Sequence, residues 1–93
     1  MTFTPSLSQS RPRRTVYVLR DSENRCLIDT QSRNGPMFSD SPVVALRHNM
    51  AWLSKEVAFD RLKAYAVNCK KGPPVRVDAV EMILASSGWE VAP

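Results

Sequence analysis

The chain has 93 residues with 43% hydrophobic and 24% charged side chains, the balance of one ordinary globular domain rather than a disordered or fibrous chain. Its net charge of +4 is uneven: residues 1–14 carry Arg11, Arg13 and Arg14 with no acid, while residues 15–93 carry ten basic against nine acidic side chains. A nearly neutral folded part argues against a broad nucleic-acid-binding face.

Residues 1–14, rich in Thr, Ser, Pro and Arg, have too little apolar surface to offset their ordering entropy and are expected to form a flexible basic arm. The single domain is expected over residues 15–93. No apolar run suits a membrane span, and the N-terminus has no apolar core of the kind a secretion signal needs.

Thr15–Arg20 is the clearest strand, β-branched and aromatic with apolar residues on both faces, as a central strand requires. Asp21–Asn24 reads as a polar turn in which Asn24 tolerates the left-handed region, and Cys26–Thr30 returns as the second strand of a hairpin. The stretch from Gln31 to Asp40 holds Asn34-Gly35-Pro36 and is expected to be the longest internal loop, hence a candidate contact surface.

Ser41-Pro42 can start a short helical turn. After it Leu46, His48, Met50 and Trp52 alternate with Arg47, Asn49 and Ala51, a period of two that favours a third strand; a helix from Pro42 to about His48 is the competing reading. The main helix is expected from Ser54 to Lys71. Ser54 is its N-cap and Glu56 suits its positive end. Ala58, Phe59, Leu62, Tyr65, Ala66 and Cys69 form its apolar stripe, with Leu62 at the centre of the core. Gly72 and Pro73-Pro74 stop it.

Val75–Leu84 alternates like a strand, although Asp78-Ala79-Val80-Glu81 matches a helix capping box and a bulge near Ala79–Val80 is a further option. The alternation favours the strand, followed by a turn at Ala85–Gly88 and a last short strand at Trp89–Val91. The fold class is therefore α+β: an antiparallel sheet of four or five strands packed on one main amphipathic helix.

The chemistry is sparse. His48 is the lone histidine, with no Cys, His or carboxylate at metal-ligand spacing. Phosphate-loop and dinucleotide fingerprints are absent, and Gly35, Gly72 and Gly88 read as turn or cap residues. Cys26 and Cys69 form no C-x-x-C and read as reduced thiols, which favours the cytoplasm. We expect no catalytic residue, metal or cofactor. Two sets of residues are candidates for binding. Met37 and Phe38, with neighbouring Arg33 and Asn34, place apolar side chains in a polar loop, as protein-binding patches do. Arg11, Arg13, Arg14, Lys63, Lys70 and Lys71 are the residues that would meet phosphates if the partner were nucleic acid.

The succession of Y-V-L-R, a polar turn, a short strand, a loop, W-x-S-K-E-x-A-F, a valine-rich strand and G-W-E-V resembles many short proteins of phages, prophages and plasmids, over about residues 15–92. The resemblance implies a single-domain accessory protein of a mobile element. Such proteins commonly bind and modulate or inhibit a host protein or protein–nucleic-acid complex, defence complexes such as CRISPR effectors included. A small basic nucleic-acid-binding protein, or a homodimeric regulator pairing open sheet edges, is the alternative.

Overall fold

The computed structural model describes residues 11–30, 35–69 and 72–93. Its elements are β1 (Arg13–Arg20), β2 (Cys26–Asp29), β3 (Met37–Ser39), α1 (Pro42–Arg47), β4 (Ala51–Trp52), α2 (Lys55–Asn68), β5 (Arg76–Ala85) and β6 (Gly88–Val91). The α+β class stands. The strands form one sheet in the order β3-β2-β1-β5-β6, with β4 also on β1, and every pairing is antiparallel.

β1 is the central strand. Its whole length pairs with β5 in unbroken register from Arg13 opposite Ile83 to Arg20 opposite Arg76. The bulge considered near Ala79–Val80 is therefore absent from this ladder, and the capping-box reading of Asp78–Glu81 gives way to strand. On its other edge β1 is shared between β2, which pairs at Arg20, and β4, which pairs at Tyr17 and Val18. Strand alternation sends Val16 and Val18 to one face of the sheet and Tyr17 and Leu19 to the other.

Each face has its own core. On one, Val16, Val18, Cys26, Val80 and Met82 pack with Ala45 of α1. On the other, Leu19 and Leu27 pack with Ala58 of α2, joined by Tyr17, Trp52, Leu62, Tyr65 and Val77. The single covering helix expected from sequence is thus replaced by two helices, one per face. The third strand expected over 46–52 is not formed; the competing reading, a helix from Pro42 to about His48, is the one found, as α1, followed by a reversal at Asn49 (φ 59°) and the two-residue β4. Pro42 at the first helical position and Leu46 one turn on from Val43 supply the helical signal that the alternation masked.

α2 is capped as its sequence requires: the Val57 N–H donates to Ser54 Oγ at 3.3 Å, and Ser54 Oγ donates to Glu56 Oε2 at 3.0 Å. It stops three residues earlier than expected, at Asn68, with Cys69 as C-cap and its N–H donating to the Tyr65 carbonyl at 2.7 Å. The buried stripe is also narrower. Ala58 and Cys69 are buried and Leu62 and Tyr65 half-buried, but Phe59 is 41% exposed and Ala66 is exposed. Leu62 sits at the margin of this core; Leu19 and Leu27, fully buried, hold its centre.

The boundary of the arm moves as well. Arg13 and Arg14 belong to β1, and the Pro12 carbonyl accepts from the Leu84 N–H at 2.9 Å. Residues 1–10 lie outside the described part of the chain.

Candidate functional site: a cleft between α1 and the β5–β6 hairpin

The β1–β2 turn is built around Asp21. Its carboxylate, nearly buried, accepts from the Glu23 and Arg25 N–H groups at 3.0 and 2.8 Å and from Arg25 Nε and Nη2 at 3.1 and 2.9 Å. Burial pushes the Asp21 pKa up, but the bonds from the Arg25 N–H and guanidinium outweigh it, and the net shift is downward. Asn24 closes the turn at φ 65°. At the same end of the sheet Arg20 Nε donates to Asp78 at 2.7 Å, and Arg76 donates to the Asn24 side chain. The Asp21–Arg25 and Arg20–Asp78 pairs satisfy each other's charge and act as structure, while Arg76 bonds a neutral amide.

Arg25 also lies 5.5 Å over the Phe38 ring. Phe38 faces the α2-side core, while Met37, its neighbour on the edge strand β3, is 48% exposed. The two side chains therefore do not form one patch. Arg33 and Asn34 lie outside the described residues.

The basic set is also divided. Arg13 is neutralised by Glu81 at 2.7 Å. Arg14 reaches the α1 side of the sheet, where its guanidinium lies 4.7 Å over the Trp89 ring, whereas Lys63 is exposed on α2, across the sheet. Arg11 is exposed ahead of β1, and Lys70 and Lys71 lie outside the described residues. His48 is exposed beyond the end of α1, and among the described residues no group of three His, Cys, Asp or Glu side chains could hold a metal. No described helix is long and apolar enough to cross a membrane. Cys26 and Cys69 are both free and buried, Cys26 in the α1-side core and Cys69 at the end of α2 on the opposite face.

What composition did not single out is a cleft beside Trp89. α1 and the β5–β6 hairpin stand apart over an opening of about 220 Å³, lined by Val43, Leu46, Arg47, Ser87, Gly88 and Trp89. Local sequence explains each wall. The turn Ser86-Ser87 brings Ala85 opposite Gly88, whose φ of 121° suits glycine. That places Trp89 opposite Leu84 on the α1 side of the sheet. On α1, Val43 and Leu46 face this core and Arg47 ends the helix at the rim.

Leu84 and Val91, 37% and 45% exposed, extend the apolar surface along the hairpin. Arg47 makes no ion pair among the described residues, and Arg14 is held on Trp89. The acid nearest in sequence to the rim, Glu90, accepts from Ser87 Oγ at 3.1 Å. Pockets for drug-sized ligands run to roughly 300–1,000 Å³, so this cleft has room for a side chain rather than a cofactor. No protein-family model matches the chain, nor does any curated protein or solved structure.

Proposed function

We propose that this is a non-catalytic binding protein, an accessory protein of a mobile element that engages a host protein, alone or within a protein–nucleic-acid complex, and modulates or inhibits it. The observation carrying this reading is the cleft at Trp89: a small apolar recess, flanked by exposed Leu84 and Val91 and edged by Arg47. Tryptophan and arginine beside an apolar recess are the residue types that anchor protein interfaces. Direct nucleic-acid binding is the weaker reading, because Arg13 is already paired with Glu81 and Arg14 and Lys63 belong to opposite sides of the sheet.

The test is affinity capture from lysate with the full chain, with and without nuclease, beside Arg47→Glu. The proposal expects a captured protein that survives nuclease and is lost with the variant. Capture abolished by nuclease would overturn it in favour of nucleic acid.

A further inference from the structure

We infer that β6 is a docking edge for an extended polypeptide segment, which adds antiparallel to it and sets an apolar side chain, with an acidic residue two positions away, into the cleft beside Trp89. This rests on the reading of the protein as a binding protein and names the kind of partner segment it takes.

The geometry of the hairpin supplies the argument. Among the described residues β6 ends the strand order and pairs only with β5. In an antiparallel pair, residues that exchange backbone bonds alternate with residues that do not. The Ala92 N–H donates to the Glu81 carbonyl at 2.9 Å, which marks residues 81 and 92 as a bonded pair. Stepping by two along the register, Glu90 with Ile83 and Gly88 with Ala85 are bonded pairs as well. Trp89 and Val91 are the intervening residues, so their N–H and C=O groups point away from β5, along the open edge.

The side chains of the same two residues share a sheet face with Leu84 and Met82 opposite them. An added strand that exchanges both bonds with Trp89 therefore places its own side chain next to the Trp89 ring, on the side where Val43 and Leu46 line the cleft. Residues two positions away on that strand lie on the same face. There the fixed charges are cationic, Arg47 at the rim and Arg14 over Trp89. Glu90 alternates to the other face, although its carboxylate is bonded to Ser87 at the rim. The complement is an aliphatic or aromatic anchor flanked by carboxylates.

The edge is four residues long, with Gly88 and Trp89 half-buried and Glu90 and Val91 exposed, and among the described residues no strand pairs with its outer side. Backbone bonds would supply affinity, and the cleft and its arginines would supply selection.

The experiment is a titration of the isotopically labelled full chain, read by amide spectra. The probe is a blocked nine-residue peptide of alternating sheet-forming residues with a central phenylalanine and a glutamate two positions to either side. Shifts should centre on Trp89 and Val91. Exchange of the glutamates for lysine should weaken binding about tenfold or more, as should Arg47→Glu. N-methylation of the alternate peptide amides that face β6 should abolish binding. Val91→Pro should abolish it too while leaving Tm close to wild type, because the N–H it deletes points outward and proline is tolerated on an edge.

Binding that survives both N-methylation and Val91→Pro would overturn strand addition. So would no binding by the folded protein at 1 mM peptide. If the peptide fails while a nuclease-resistant lysate protein is still captured and lost with Arg47→Glu, strand addition is wrong and the protein-binding reading stands; failure of both removes the two together.

Discussion

The Arg14 guanidinium lies 4.7 Å over the Trp89 ring, tying the start of the central strand to the last strand across β5. An exposed contact of this kind is worth about 0.5–1 kcal/mol. Arg14→Ala should therefore lower Tm by roughly 2–8 °C for a domain of this size. Arg11→Ala, outside any strand, should leave Tm unchanged. Thermal unfolding followed by circular dichroism checks both.

Asp21 makes a pH prediction. Its folded pKa lies below the ordinary value of 3.8. A depressed carboxylate pKa contributes stability that is full above the unfolded value and is lost as pH falls through the lower folded value. The stability difference between wild type and Asp21→Asn should be constant from pH 7 to about pH 5 and decrease as pH drops below 3.8. Urea unfolding across that range measures it. A difference that grew on acidification would contradict the turn geometry.

The centre of the α2-side core is in the sheet rather than on the helix. Leu19→Ala should cost about 2–5 kcal/mol, the range for a fully buried leucine. Leu62→Ala, at the half-buried margin, should cost about 1 kcal/mol, the middle of the range for point changes. Equal losses in denaturant midpoints would place Leu62 deeper than it stands here.

Both thiols should be unreactive in the native state at neutral pH, because burial raises the pKa of Cys26 and of Cys69 and the thiolate is the reacting species. Thiol counting should find both free once the chain is unfolded, with no reductant added. A pair that needs reductant would contradict their placement on opposite faces.

Much of this architecture was legible in the sequence because it depends on neighbours along the chain. β1 through Val16–Leu19, the Asn24 turn, the Ser54 cap and the alternation of β5 all follow from local propensity and capping chemistry. α1 was obscured because its residues and those of β4 run together. Leu46 belongs to a helix, Trp52 to a strand, and the reversal at Asn49 between them happens to preserve a period of two. The arm boundary was missed for another reason. Arg13 and Arg14 look solvated in isolation, and only pairing with Ile83 and Met82, remote in sequence, makes them strand. The cleft is not legible from neighbours along the chain, since Val43 and Leu46 meet Trp89 only through the sheet's topology; the one local cue is a tryptophan directly after a turn glycine.

Site-specific photocrosslinking reports which face of the protein meets its partner. The photoreactive residue p-benzoylphenylalanine would replace Val91 on the hairpin, Met37 on β3 or Val67 on the outer side of α2, all three exposed. Each variant would be irradiated in nuclease-treated lysate. A discrete protein adduct is expected from position 91, absent when Arg47→Glu is combined with it, and none from position 67. An adduct from position 37 or 67 with none from 91 would contradict the proposed function, placing the partner on another face of the molecule.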